Sequence, residues 1–574
     1  MTARLRGRLR AATPAVLATL VLLSTACTSP SHHGDQPPPH AGGTLLYLRS
    51  GAGFVHLDPQ RDFLAQDQAF AGGYLQRTLT TYTFSDRARA ATLVPDLATD
   101  TGRPSRDART WAFTLRKGVS FQNGQPIRCQ DIRYGLARAF AGSALTGVSP
   151  PAVAMLDIPR DAHGEPTYQG PYPAPGNNTG ALDRAVACSP DGRTITFHLN
   201  RPAADFNDTV ALLTYSPVPQ SLDTGTQYDQ RPVSSGPYEI AQNAPGSRLV
   251  LVRNPHWNRA SDPVRPAYPD RVVTEIGVPD TQIQQRLIAD ADADQAAVAN
   301  LSAPSAQAVF ADPKLAGRRY DGTNGNVDYL AINTTRVADL QQRRAIVAAL
   351  DVGALNAAAG GDLDGTRADG LVSPALGIDY QPTGLWDGLL GKDIPTGGDP
   401  SYARQLIAES GRPMPVLTYD YIESAGADRA ATIVVSSLAR AGITVRAHAL
   451  SPQVYYPTVR DPRTASDLVF GSAAPNWHNA SALLADLLTP SGSLNLSQYD
   501  DATVTRDVHD GQTQLDRDAQ ARQWSRLDRS AMLQAVAVPL RFEHAQALVG
   551  SRVGGAYIWA PYGSLPFGAL WVRP

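Results

Sequence analysis

The sequence predicts an α/β protein, and three observations carry that reading. Between residues 340 and 471 helical and extended segments alternate, the pattern that lays helices over a mostly parallel sheet. The 574 residues are 43% hydrophobic and 18% charged, a chain too long for one core that divides into two or three domains. Past the first few dozen residues no segment stays apolar for the about 20 residues that a membrane-spanning helix needs. The longest candidate, 532–540, fits a core element.

The chain opens with Arg4, Arg6, Arg8 and Arg10, runs through an apolar stretch over 11–23, and reaches the small residues before Cys27. This resembles a bacterial lipoprotein signal: residues 1–26 are expected to be removed and Cys27 to carry lipid, so that the chain is anchored to the membrane without spanning it. Residues 27–41, rich in Pro, Gly, Ser and His, are expected to form a disordered tether. His32, His33 and His40 on such a segment have no fixed geometry, and no metal is assigned to them.

The mature chain then begins with GGTLLYLRSG, an alternating strand closed by glycine, and the turn LDP at 57–59. Residues 68–82 show helical spacing, with Leu75 and Leu79 on one face. WAFTL at 111–115 alternates, Gly124 sits in a turn, and 131–140 reads as a helix opened by Asp131. Residues 142–178 are rich in Pro and Gly without periodicity, which predicts an ordered loop. The turn SPDG at 189–192 precedes the strand TITFHL. Further on come the turn at 235–238, a strand over 248–253, a helix over 282–297, the strand DYLAIN from Asp328 and a helix over 340–350. The last block sets helices at 401–410 and 429–441 among strands at 416–421, 444–449 and 467–471.

A formal net charge of -2 leaves no basic excess for a phosphate backbone, so nucleic acid is excluded as a partner. With Cys27 committed to lipid, Cys129 and Cys188 remain; in an oxidising compartment a bridge between them is expected, the alternative being two buried thiols. No Gly-x-Ser-x-Gly, no His-Glu-x-x-His and no phosphate-loop spacing in the glycine run at 384–393 is present. The reading is therefore not an enzyme, with neither cofactor nor metal.

WAFTLRKGVSFQNGQPIRCQDIRYGLARAF, followed in order by SSGPYEI, LVRNPHWN, DYLAINTT, RRAIVAALD and LVFGSAAPNW, resembles the family 5 extracellular solute-binding proteins, the peptide receptors of ABC importers. The resemblance covers nearly all of the mature chain. It implies a fold of the type II periplasmic-binding-protein kind, two lobes built from three domains around a ligand cleft. Domain I would combine 42–85 with 216–315 and 540–574, domain II would be 86–215, and domain III 316–539. The expected protein is a monomer on the extracytoplasmic face of the cell membrane, which closes on a peptide or peptide-like ligand by hinge motion and presents it to an importer's permease subunits. Some relatives instead act as envelope scaffolds or sensors, or bind metal chelates, haem or oligosaccharides.

Carried over residue by residue, the likeness places Gly53, Phe54 and Val55 on the first lobe's cleft edge. It places Tyr419, Asp420 and Tyr421 at a strand end of the other lobe, Ala474, Pro475, Asn476, Trp477 and His478 after the strand LVFGS, and Phe542 and Glu543 near the return crossing. Many peptide receptors of this family carry Asp where Asn476 stands, pairing with the peptide's α-ammonium group. An amide offers only a neutral acceptor, so either Asp420 or Glu543 takes that charge or the ligand is not a simple peptide.

Overall fold

Two long strands, Arg319–Ile332 and Ala537–Val549, run antiparallel side by side through the middle of a large sheet in the computed structural model. The structure describes residues 38–142, 144–145, 151–172 and 176–574; the export segment, Cys27 and the tether up to residue 37 lie outside the described residues. Of the histidines on that tether, only His40 is among them.

Outward from Arg319–Ile332 the sheet continues through Leu468–Ala473, Leu417–Ile422 and Val445–Leu450. Outward from Ala537–Val549 it continues through Ala297–Asn300, Thr44–Arg49, Arg271–Ile276, Arg248–Arg253 and Tyr238–Ala244, while Gly365–Arg367 pairs on Ala537–Val549 off this path. The expected mostly parallel sheet is corrected to a mixed one. Parallel pairing is confined to Thr44–Arg49 with its two neighbours and to Leu417–Ile422 with its two neighbours. Hairpins and the crossing strands supply antiparallel pairs elsewhere, because a hairpin can return only antiparallel.

Local signals start and stop the helices over this sheet. Asp399 accepts from the amide of Tyr402, Pro400 occupies the first turn, and Gly411 ends the helix Pro400–Ser410 at φ +64°. Ser424 caps Ala425–Arg440 in the same way, and Asp339 caps Leu340–Ala349. Two helices are shorter than their spacing predicts. The segment 68–82 divides into the helix Ala65–Tyr74 and the strand Thr80–Tyr82. The carbonyl of Leu75 is taken by the amides of Ser235 and Gly236, at 3.0 and 2.8 Å, so a tertiary turn captures the acceptor that a longer helix would use. The segment 282–297 likewise yields the helix Asp280–Ala289, stopped by Asp290 in the left-handed region at φ 52°, before the chain joins the sheet as Ala297–Asn300.

A second, four-stranded antiparallel sheet is built from Arg103–Pro104, Thr110–Thr114, Thr194–His198 and Val186–Cys188. The helix Cys129–Ala139 is tied to it covalently: Cys129 is bridged to Cys188 over a sequence separation of 59. Closing a loop of that length stabilises by about 4 kcal/mol in the chain-entropy model. Of the loop expected over 142–178, the described part includes the 3-10 turn Pro151–Met155 and bridges from Leu156 to Leu199 and from Arg160 to Pro166.

Apolar burial gathers into distinct cores. One runs through Ile332, Ile346, Leu438, Leu468 and Trp524; a second through Trp111, Phe113, Phe197, Phe206 and Tyr215; a third through Leu45, Tyr47, Phe70, Tyr74 and Phe567. Trp477 and Ala482 belong to the second core although their neighbours in sequence belong to the first. Buried ion pairs connect remote segments. Arg138 holds Asp58 at 2.7 Å and Asp223 at 3.2 Å, and Asp96 takes both Arg77 at 2.8 Å and Arg265 at 2.9 Å. Burial pushes the carboxyl of Asp262 up, but Arg265 and Arg77 beside it prevail and hold it at about 2.

Candidate functional site

A cavity of about 450 Å³ opens where segments far apart in sequence meet. Phe63, Leu64, Tyr82, Asp208 and Tyr562 contribute to its walls, together with Asn326, Leu376 and the run 474–478 that leaves the strand Leu468–Ala473. A second cavity of about 430 Å³ shares Tyr82, Asp208, Leu376 and His478 with the first and adds Arg89, Trp111 and Arg517. The rings of Tyr82 and His478 meet edge to face at 5.2 Å in the shared wall. Each volume lies in the range of small-molecule sites.

Polar side chains in this wall are tied across the chain. Trp477 Nε1 donates to Asp205 Oδ2 at 2.5 Å, and Ser481 Oγ donates to the same oxygen. Arg517 meets Asp379 at 2.6 Å, whose other oxygen accepts from the amide of Ala480 at 2.8 Å. The Tyr82 hydroxyl, at the end of the strand Thr80–Tyr82, donates to Asp208 Oδ1 at 2.8 Å; Asp208 is held there by the short helix Phe206–Thr209. Burial pushes the Asp208 carboxyl up to about 7, with Arg517 and the Tyr82 hydroxyl pulling down and Asp205 and Asp379 pushing up. Burial, then the charge of Arg517, holds the His478 imidazole down at about 3, so this ring is neutral at physiological pH.

The residues singled out from sequence fall into several places. Ala474, Pro475, Asn476, Trp477 and His478 line the first cavity, with the Asn476 side chain exposed. Glu543 stands one layer behind it and accepts from Asn326 Nδ2 at 2.8 Å. Phe542 is buried in the first core, its ring edge to face with Tyr380 at 5.8 Å. Tyr419 and Tyr421 line a separate cavity of about 310 Å³ with Asp364, Phe470 and Arg541. Asp420 is buried beside His448, Oδ1 to Nδ1 at 3.3 Å, and does not line the first or second cavity. Gly53, Phe54 and Val55 line neither of them. Gly53 has φ +87°, and a Cβ there would lie 2.5 Å from Ile276 Cγ2, so the backbone requires glycine. Phe54 packs on Phe70 at 4.7 Å beneath the guanidinium of Arg49 at 4.4 Å, and Val55 is exposed.

Sequence reading passed over Phe63, Leu64, Tyr82, Asp208, Asn326, Arg517 and Tyr562. Only Phe63 and Leu64 carried a signal, as an apolar pair just ahead of a helix; in the structure they are 44% and 49% exposed. Among the described residues no group of three or more His, Cys, Asp or Glu is placed to hold a metal ion. No helix among them is long and apolar enough to cross a membrane.

Mixed α/β bodies joined by two antiparallel crossing strands, with cavities where remote segments meet, define a two-lobed binding protein of the type II periplasmic class. The chain belongs to the bacterial extracellular solute-binding proteins, family 5, whose model matches residues 92–495. It is similar to the solved structure of clavulanic acid biosynthesis oligopeptide binding protein 2, at 29% identity and a TM-score of 0.80 over 93% of this chain and 96% of that one. It is 24% identical to the oligopeptide-binding protein OppA of Bacillus subtilis (strain 168) over 255 residues, so the match spans only 42% of either chain. Protein XP55 of Streptomyces lividans is 24% identical over 444 residues, 74% of this chain and 71% of its own.

Proposed function

We propose that this protein is a lipid-anchored receptor that captures a peptide or peptide-like ligand between two lobes and presents it, unaltered, to the permease subunits of an ABC importer. The observation that carries the reading is the pair of adjoining cavities, about 450 and 430 Å³, parted by the rings of Tyr82 and His478. Together they suit a ligand of several residues better than a single small metabolite. Family membership and the likeness to proteins named for oligopeptide binding support the same ligand class. In this reading one lobe comprises 42–85, 86–215, 216–315 and 540–574, and the other 316–539, with Arg319–Ile332 and Ala537–Val549 as hinges. Cys27 fixes the receptor to the outer face of the cell membrane.

Mass spectrometry of whatever the purified protein releases on unfolding tests the ligand class, because a closed cleft keeps what it caught. Recovered peptides, and a raised Tm with a peptide library, are the expected results. A recovered metal chelate, haem or oligosaccharide, or an empty cleft with no shift against the library, overturns the peptide assignment. For the anchor, Cys27→Ser should release the protein from the membrane fraction.

A further inference from the structure

Asp208 is 6% exposed yet contributes to the walls of both cavities. Its Oδ1 accepts from the Tyr82 hydroxyl, and among the described residues nothing donates to Oδ2. A carboxylate withdrawn from water needs several donors or a counter-charge to stay ionised, and one phenol does not supply them. The neighbouring charges do not supply them either. Asp205 accepts from Trp477 and Ser481, and Asp379 from Arg517 and the Ala480 amide, so the Arg517 guanidinium is already engaged by another carboxylate. His478 is neutral. Arg89 lines the second cavity, but it is exposed and donates to the carbonyl of Tyr380. Three carboxylates thus share one guanidinium beside a space large enough for a ligand, and of the three only Asp208 lines that space, with its Oδ2 turned to no donor among the described residues.

We propose that Asp208 is the cation-binding group of the cleft and that the ligand carries an ammonium or guanidinium group, which sits on Asp208 Oδ2. The inference rests on the receptor reading above and deepens it by naming the charge of the ligand. It also relocates that charge. The residue expected to hold it is Asn476 in this chain, and the buried carboxylate stands instead on the segment 206–209, more than two hundred residues earlier. Neither Asp420 nor Glu543 lines the first or second cavity. Without ligand, burial keeps the Asp208 carboxyl near 7; an arriving cation stabilises its ionised form and drives a proton off.

The test uses the mature protein and a random mixture of tripeptides to pentapeptides, presented free and N-acetylated, with retained species identified by mass spectrometry. Wild type is expected to retain peptides bearing a cation, and Asp208→Asn to bind those at least tenfold more weakly while leaving uncharged ones unchanged. Enrichment of free over acetylated peptides assigns the cation to the amino terminus; enrichment of Lys or Arg in acetylated ones assigns it to a side chain. Equal retention by wild type and Asp208→Asn, or retention of uncharged peptides alone, overturns the proposal while leaving peptide binding standing. Should no peptide be retained, the peptide reading fails, and butylamine and agmatine against butanol become the probes. A raised Tm with the two cations that Asp208→Asn lacks upholds the proposal, and no such difference overturns it. Calorimetry of wild type at pH 6.5, in buffers of differing ionisation enthalpy, supplies a readout that needs no variant. A retained cationic peptide, or agmatine in its place, should release between about half and one proton per molecule bound, and release of none overturns the proposal.

Discussion

The indole of Trp477 reaches into the core that surrounds the four-stranded sheet and donates its Nε1 proton to Asp205, 272 positions earlier in the chain, at 2.5 Å. Asp205 also accepts from Ser481, and the amide of Ala204 donates to the carbonyl of Gln512 at 2.7 Å. These contacts tie Trp477, in the first cavity's wall, to the segment that carries Asp208.

Asp205→Ala leaves two buried donors without an acceptor, at about 1 to 3 kcal/mol each. If those contacts form on closure, affinity for retained ligand should fall about thirtyfold or more, and the scattering radius of the liganded protein should grow toward that of an open form. A lowered Tm with affinity and radius unchanged would assign Asp205 to stability alone.

The bridge between Cys129 and Cys188 fixes the start of the helix Cys129–Ala139 to the edge of the four-stranded sheet. The double variant Cys129→Ala, Cys188→Ala should lose about 4 kcal/mol in urea titration. Hydrogen exchange should quicken first in Thr110–Thr114 and Thr194–His198, with the large sheet keeping its protection.

Much of the fold was legible because it was written in local patterns. The alternation at 44–49 and 111–115 and the turn at 189–192 each act within one strand or one turn. Strand direction was not legible, since an isolated strand reads the same whether its neighbour runs with it or against it. Nor were the ends of the helices near 75 and 290. A remote turn takes the Leu75 carbonyl, and the chain must leave its helix at Asp290 to thread Ala297–Asn300 between two strands. The run 474–478 was visible through resemblance, whereas Asp208 and Tyr82 sit in stretches with no motif. Only folding brings them to the cavity wall.

Asp528, buried in the helix Arg517–Leu533, accepts from the amides of Leu371 and Val372 at 2.8 and 3.2 Å, and burial pushes its carboxyl up to about 7. Its folded pKa lies above the unfolded value of about 4, so the folded state binds the extra proton between those limits. Stability from this group is therefore full below about pH 4, falls as pH rises toward 7, and is level above it. The span is up to about 4 kcal/mol for one such carboxyl. Asp262, held at about 2, acts in the opposite sense: its contribution is full above about 4 and is lost as pH falls through 2. Denaturation of Asp528→Asn across pH 4 to 8 should show a flatter decline than wild type; an equal slope would place the titrating group elsewhere.

Asn476 lines the first cavity with its side chain exposed, so a carboxylate introduced there would be solvated enough to stay ionised at neutral pH. Asn476→Asp should strengthen binding of peptides with a free amino terminus about five- to tenfold, the worth of a partly exposed charge pair, and should not help N-acetylated ones. The pH dependence separates it from Asp208. A solvated aspartate loses its charge only near pH 4, whereas Asp208 is ionised in the empty cleft only above about 7. Wild-type affinity for free peptides should therefore climb between pH 5 and 7, and the gain from Asn476→Asp should persist at pH 5, where Asp208 is protonated. Calorimetry of both proteins at pH 5 and 8 decides the matter. No gain with any free peptide would place the ligand's ammonium group out of reach of position 476, and a gain confined to pH 8 would show that the introduced carboxyl is not solvated but pushed up by burial.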